Sequence, residues 1–574
     1  MILFLSVLST VFITDSYFGQ DAIAAKYFWF AAVLFVFSFL IPLHFICKKS
    51  EIHITDILVG ALFIYLCINY FFLHGHPNMI WWLSLLMFPL YIAVRSFAVN
   101  EKLRQWLLIV VLVVVLVQAV WGLLQLYGFA RSFHNLFKIT GTFFNPGPYA
   151  GFVAVGVPLA LSFSLNKSLS RWVRWLGSVS LVASALVLPV TMSRAAWLAA
   201  SVGCVPILFH SLNFKIRFFY FLSIRKRIIT TTSAVLLLIT LLSGVYFMKK
   251  DSADGRWLIW GASIEAVKEN PLFGAGYGRF TAVYGDAQAA YFLKSERSPA
   301  QIMVADSPDY AFNEYVQIAV ELGIVGLFLF LFLIASSLFP LNSSFLSIRS
   351  SLLSFLVFAA FSYPFSVLPL AILFVFLLAL SAPSSKKLTI TLPLFIRVIG
   401  AMACWCITAY GAYQILPKRE AYREWQSVRV FYNVNAYNDT AQKYAALYPC
   451  LSHEEHFLFE YAQCLSKTGQ HIESNRILKE YLHYGSDPMV YNCIGNNYKE
   501  IGEYEKAESM YIRASQIVPN RHYPLYLLMK LYQESGQIEK AKAMAETLLN
   551  KPVKVQSAAI REIQIEARKI MNDE

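Results

Sequence analysis

The chain has 574 residues, of which 57% are hydrophobic and only 14% charged, with a mean hydropathy of +0.53 and a formal net charge of +13. Soluble domains average about 45–50% apolar and about 25% charged residues, so an ordinary cytosolic enzyme is excluded and a chain living largely in lipid is indicated. The basic excess alone would suggest nucleic acid, but it is set among long aromatic-rich apolar runs, and no nucleic-acid partner is expected.

From the N-terminus, apolar runs follow at 2–14, 28–47, 54–74, 79–97, 106–129, 147–166, 174–191, 195–211 and 228–248. After a polar gap they resume at 314–338, 347–363, 366–381 and 392–413. Many approach the roughly 20 residues that a membrane helix needs. The block 347–381 reads as one long helix or two, so the expected count is twelve to thirteen. The first run has no basic flank and no clean small-x-small site, and reads as a span rather than a cleaved signal peptide.

Orientation follows from Lys and Arg in the short loops. One set of alternate loops holds Lys48, Lys49, Arg95, Lys102, Arg104, Lys167, Arg171 and Arg174, then Lys215, Arg217, Arg225, Lys226, Arg227, Arg349, Lys386 and Lys387. The opposite loops hold only Lys26, Arg131, Lys138 and Arg194. The N-terminus is therefore expected in the cytoplasm, with the long loop 249–313 and everything after 413 outside. Basic and acidic side chains are equal in number over 414–574, so the whole +13 belongs to the membrane region and mainly records topology.

Residues 414–574 carry no long apolar run but do carry a repeat. Pro488, Tyr491, Ile494, Gly495, Tyr498, Ala507, Tyr511, Ala514 and Pro519 fit the helix-turn-helix unit of tetratricopeptide repeats, about 34 residues long. Leu525, Leu528, Tyr532, Gly536 and Ala541 begin a second copy, and Tyr461 and Gly469 mark a weaker earlier one. Repeats are expected over about 455–555, with 414–450 as a helical connector. Such an array offers a concave surface, usually for a protein partner. The fold class expected is all-α: a polytopic membrane bundle over 1–413 followed by an α-solenoid over 414–574.

Eight cysteines include no Cys-x-x-Cys pair, so neither a zinc site nor a redox motif is signalled. Spacing leaves open a disulfide among Cys450, Cys464 and Cys493. The pairs Asp251/Asp254 and Asp306/Asp309 are too unspecific to indicate a metal, and no cofactor is expected.

Polar groups held against a membrane mark function. Arg194 lies in TMSRAAW between two spans, and its bland alternative is snorkelling to the interface. Arg256 opens an expected helix over 256–269, with Asp254 as N-cap and Asn270-Pro271 as its stop. Trp257, Trp260, Ile264 and Val267 make one apolar face, suited to the membrane surface. The glycine run 274–278, before Arg279, lacks the strand and the Lys-Ser/Thr of a nucleotide loop and reads as a re-entrant turn. Asp309 and Glu314 are the carboxylates beside the next helix start, and plain capping is their structural alternative. Arginines bind phosphate bidentately and can stabilise a departing diphosphate without a metal. The other requirement is a base for the attacking hydroxyl.

These segments resemble the O-antigen ligase-like superfamily, which includes lipopolysaccharide O-antigen ligases, O-antigen polymerases and protein O-oligosaccharyltransferases. The matching stretches are GTFFNPGPYAG at 141–151, SRAAW at 193–197, RWLIW at 256–260, NPLFGAGYG at 270–278, NEYVQ at 313–317 and ELG at 321–323. The resemblance implies a metal-independent transferase in the bacterial inner membrane. Its donor would be an undecaprenyl pyrophosphate-linked glycan on the periplasmic face, and its acceptor a lipid A core, a protein hydroxyl or another glycan. By the same likeness Arg194 and Arg256, with Arg279 as a looser match, would contact the pyrophosphate. Asp309 or Glu314 would handle the acceptor, and Asn145, Asn313 and Tyr315 belong to the supporting motifs. Members often carry His before Asn-Glu-Tyr, where this chain has Phe312; His134 is a distant substitute. Rival readings are a polymerase of the same superfamily, a flippase or transporter with a docking domain, and a membrane-anchored scaffold. The repeat region slightly favours a ligase or oligosaccharyltransferase, because it suits acceptor docking.

Overall fold

The computed structural model describes residues 2–14, 22–39, 51–73, 77–98, 100–211, 250–294, 298–339, 345–382, 390–391 and 393–572. The expected span 228–248, the end of span 28–47 and the basic clusters at 48–49, 215–227 and 386–387 lie outside the described residues. The first half contains α1 (Ile2–Leu8), α2 (Ala22–Phe37), α3 (Ile54–Phe72), α4 (Met79–Ala98), α5 (Glu101–Leu126), α6 (Pro146–Leu165), α7 (Arg171–Val190) and α8 (Arg194–Ser211). The polar gap folds as α9 (Lys250–Glu269), α10 (Phe280–Leu293) and α11 (Pro299–Val304). Then follow α12 (Glu314–Leu338), α13 (Leu346–Ala359), α14 (Leu368–Ser381) and α15 (Leu394–Ile415). A two-residue antiparallel bridge, Glu51–Ile52 with Ile390–Thr391, is the one sheet among the described residues.

Seven of these helices are long and apolar enough to cross a membrane: α3 to α7, α12, and α15 with its continuation. The shorter apolar helices α1, α2, α13 and α14 join them, and α8, which is not apolar enough to count as a span, packs against α6 and α13. The block 347–381 is two helices, because Pro364 and Pro369 prevent a continuous backbone ladder. Every residue of α14 is buried, so it forms the centre of the bundle. Small residues let neighbours approach closely. An added Cβ at Gly151 would strike the Phe358 ring, at Gly156 the Val115 side chain, and at Gly203 Pro158 and Ser354.

The loop helix α9 begins by Lys250, so Asp254 and Gly255 lie within it and the expected cap at Asp254 is incorrect. One glycine costs a helix only about 1 kcal/mol, less than the packing of Leu258, Ala262 and Ala266 returns. The stop at Asn270-Pro271 is as expected. The expected apolar face divides: Trp257 and Ile264 stay outside at 64% and 54% exposure, while Val267 packs inward and Trp260 donates to the Ala311 carbonyl at 3.0 Å.

Beyond α15 the chain turns at Leu416-Pro417 directly into α16 (Lys418–Asn433) and α17 (Tyr437–Leu451). These form an antiparallel hairpin rather than a mere connector, and Trp425, Arg429 and Tyr444 all donate to the buried Glu460 carboxylate of the next helix. Three more hairpins follow: α18 (Glu455–Lys467) with α19 (His471–Tyr481), α20 (Pro488–Glu500) with α21 (Tyr504–Ile517), and α22 (Tyr523–Glu534) with α23 (Ile538–Asn550). Helix α24 (Ala558–Asn572) ends the array. Gly495 faces the Tyr511 ring, the small-against-aromatic contact that the motif requires. Cys450, Cys464 and Cys493 are unbonded thiols.

The repeats sit on the loop that carries α9 to α11. Leu258, Ala289 and Ala305 share an apolar cluster with Ile517 and Val518. Around it, Gln288 donates to the Ile517 carbonyl at 2.6 Å, Thr281 to the Tyr484 carbonyl at 2.6 Å, and Asn520 to the carbonyls of Ile302, Met303 and Ala305. Gly285 donates to Ser486 at 2.9 Å, and a Cβ there would collide with that serine.

Candidate functional site

The glycine run has a structural partner. Helix α12 is broken at Gly323, whose φ of +65° leaves its neighbours' backbone groups free. Segment 271–276 docks there: Ala275 N–H bonds the Val320 carbonyl at 2.8 Å and Gly276 N–H the Glu321 carbonyl at 3.0 Å. In return Ile324 N–H bonds the Pro271 carbonyl at 2.9 Å. Gly274 has φ +75°, and a Cβ on it would lie 2.4 Å from the Glu321 backbone, so this crossing admits only glycine. The amides of Gly278 and Phe280 donate to the Glu321 carboxylate at 3.0 and 3.3 Å and are not free to cradle a phosphate. Asn69 of α3 fixes the loop from the membrane side, donating to Phe273 and accepting from Tyr277. The run is an anchor, and its anion hole is filled by the chain itself.

On this anchor the other segments converge. Asn313 accepts from the amides of Tyr315 and Val316 and so caps α12, while Tyr315 donates to the Leu356 carbonyl at 3.1 Å. Asn145 likewise caps α6 through Gly147 N–H at 2.9 Å. The three motif residues thus position helices. Glu314 is buried and accepts from Phe365 N–H at 2.7 Å, tying α12 to the turn that carries Tyr363.

That turn builds an aromatic wall. Tyr310 stacks on Tyr363 with centroids 4.2 Å apart, and Phe312 meets Tyr363 edge-on at 5.3 Å. Phe312 takes a left-handed φ of +52°, which turns its ring toward Arg256, whose guanidinium carbon lies 5.6 Å from the centroid. Arg194, the first residue of α8, is the second cation of this corner. Burial lowers the Arg256 pKa from its ordinary value, the positive charge of Arg194 lowers it further, and Tyr363 opposes both. Two guanidiniums share one partly dehydrated corner, an arrangement that an anion relieves.

Arg279 is not brought to this pair. It turns back on its own loop, donating to the Ala275 carbonyl at 3.3 Å while its side chain crosses Gly276. His134 is also elsewhere, in the turn before α6, where it accepts from Leu136 N–H at 3.0 Å and packs on Phe137 and Phe144.

Asp309 stands on the other side of the wall. Burial first, and then the charge of Asp309, push the Tyr363 hydroxyl up to about 12, an effect that Arg256 opposes. The Asp309 carboxyl is itself raised by burial, an effect that His456 opposes and that Asp487 and Asp306 reinforce. Asp309 lines two cavities. The larger, about 470 Å³, runs from Leu62, Ile80 and Phe374 of the bundle past Glu314 and Glu321 to His453, Glu454, Glu455 and His456 of the repeat region. The smaller, about 240 Å³, lies in the seam between loop and repeats, among Thr281, Ser307, Asp309, Glu455, His456 and Asp487. Glu455 is pushed up to about 8, mainly by burial and then by Asp309. His453 is held down to about 3, mainly by burial, with its ring 4.9 Å from that of Trp82. Tyr363 and the two histidines escaped the sequence reading. Tyr363 sits in a Tyr-Pro step between apolar runs, and HEEH at 453–456 is a titratable cluster at a repeat helix start.

Two comparisons bear on identity. Residues 179–331, which contain Arg194, Arg256, Asp309 and Glu314, match the family model described as O-Antigen ligase. Residues 422–487 match that of YpiA-like, C-terminal tetratricopeptide repeats, and so include the hairpin α16–α17. No curated relative matches the chain. The chain is therefore a multi-pass membrane protein whose residues 179–331 are similar to the O-Antigen ligase family of ligase- and polymerase-type glycan transferases, with tetratricopeptide-like repeats at its C-terminal end.

Proposed function

We propose that this protein transfers a glycan from a polyprenyl diphosphate carrier, undecaprenyl pyrophosphate in bacteria, to an acceptor hydroxyl at the external face of the inner membrane. The observation that carries the reading is the Arg194–Arg256 corner. Two guanidiniums in one corner, with Arg256 over the Phe312 ring and lowered first by burial and then by Arg194, suit the dianionic head of a lipid diphosphate. The acceptor oxygen attacks the anomeric carbon, the bond from that carbon to the phosphate oxygen breaks, and its electron pair leaves with the diphosphate. The arginines stabilise that charge as it forms. Direct displacement inverts the anomeric centre.

Asp309, across the wall, orients the acceptor hydroxyl. Glu314 holds the Phe365 turn in place and lines the larger cavity. The acceptor is a lipid A core or a protein hydroxyl reached through the repeat side. Ligation or protein glycosylation is preferred to polymerisation because the repeats wall both cavities at Asp309.

The test is transfer by purified protein in detergent, supplied with carrier-linked glycan and acceptor. Removing one preorganised donor costs on the order of 100- to 1000-fold in kcat. Arg194→Ala with Arg256→Ala should abolish measurable turnover while the protein stays folded. Turnover at the parent rate would rule out the assigned roles.

A further inference from the structure

Both cavities meet at one place, where Asp309 of the loop, Thr281 of α10, and Glu455 and His456 of α18 face one another. Asp309 is the one carboxylate that the loop contributes to this shared lining, beside the Thr281 hydroxyl. The imidazole comes from the repeat region, at the second residue of α18, and it is exposed toward the shared space. Its placement is fixed from two sides. Tyr484 and Ser486, which follow the partner helix α19, are bonded to α10 through Thr281 and Gly285. Tyr422 of α16 contacts Glu454 and the neighbouring His453.

We propose that His456 is a catalytic residue of the transferase: it takes the acceptor hydroxyl proton beside Asp309, so the tetratricopeptide region completes the active site as well as offering a docking surface. The inference rests on the transferase reading above. Atoms balance simply. The acceptor O–H proton passes to an imidazole nitrogen as the acceptor oxygen bonds the anomeric carbon, and the diphosphate departs toward Arg194 and Arg256. Asp309, which orients the acceptor hydroxyl, also stabilises the imidazolium by its charge.

The same geometry narrows the acceptor. The seam around His456 is lined by the carboxylic side chains of Asp309, Glu455 and Asp487, so the segment entering it is neutral or cationic and does not place a phosphate there. The repeat side thus favours an uncharged sugar or a polypeptide hydroxyl.

The experiment uses the full-length protein in detergent, carrier-linked glycan as donor and a hydroxyl acceptor. His456→Ala should lower kcat by about 100-fold or more, with the donor KM and the melting temperature unchanged. Added imidazole should restore part of the rate, which a merely structural side chain would not allow. His456→Gln, closer in shape, should be equally slow and equally stable. Parent-level turnover in either variant, or a loss that imidazole does not relieve, overturns the proposal while leaving the transferase reading intact. A parent protein that transfers nothing overturns both.

Discussion

The two sides of the Tyr310–Phe312–Tyr363 wall differ in charge, in origin and in how they are held. On one side Arg194 and Arg256 come from α8 and α9, elements at the edge of the membrane bundle. On the other side Asp309 meets Glu455, His456 and Asp487, and most of that lining belongs to the repeats. A diphosphate would be welcome on the first side and repelled on the second. On the proposed reading, the difference teaches how leaving-group stabilisation and acceptor handling can be separated: opposite charge fields act on the two faces of one aromatic partition.

The largest effect that would break this comparison is loss of the arginine pair, which should remove transfer altogether. Asp309→Asn should come next, lowering kcat by about 100-fold with little change in donor affinity, because it acts on the acceptor side; steady-state kinetics in detergent would separate the two. A donor KM that rises with an unchanged kcat would move Asp309 to the donor side.

Gly274→Ala tests the anchor rather than the chemistry. The position needs a positive φ and its Cβ would overlap backbone at 2.4 Å. A loss of about 2–4 kcal/mol is expected, combining backbone strain with the overlap, seen as a lower melting temperature and as protease sensitivity of segment 270–280. An unchanged melt would mean that the loop does not depend on its crossing with α12.

A smaller effect concerns pH. Glu455 is held at about 8 in the folded protein against an ordinary 4.5. A raised carboxyl pKa means that the folded state binds the extra proton, so its stabilising contribution is complete below about 4.5 and is lost as pH climbs to about 8. Repeat docking should therefore weaken across that interval, and Glu455→Gln should flatten the slope of melting temperature against pH. An identical slope in the variant would remove Glu455 from the seam.

Much of this was legible in the sequence. The spans from 54 to 191 were readable because a run of about 20 apolar residues has few other uses, whereas the expected span 195–211 forms a helix that is not apolar enough to count with them. The repeat spacing was readable because small residues must face aromatics at fixed intervals. The hairpin α16–α17 was not, since its key contacts run through Glu460, a buried carboxylate that no hydrophobic pattern reveals. Asp254 misled because Asp-Gly resembles a helix start, whereas packing further along carries α9 through it. The pairing of Arg194 with Arg256 followed from the family likeness. The filling of the glycine loop by Glu321 and the arrival of His456 beside Asp309 are long-range contacts, and local pattern does not encode them.

The central claim is that the cationic face alone receives the diphosphate. Titration of a short-chain polyprenyl diphosphate into the full-length protein tests it most directly. Each lost charge-assisted contact is worth about 1.5–3 kcal/mol, at least about tenfold in affinity. Arg194→Ala with Arg256→Ala should therefore bind about 100-fold more weakly than the parent, while Asp309→Asn binds as well or better. Equal affinity of the double variant and the parent would contradict the account.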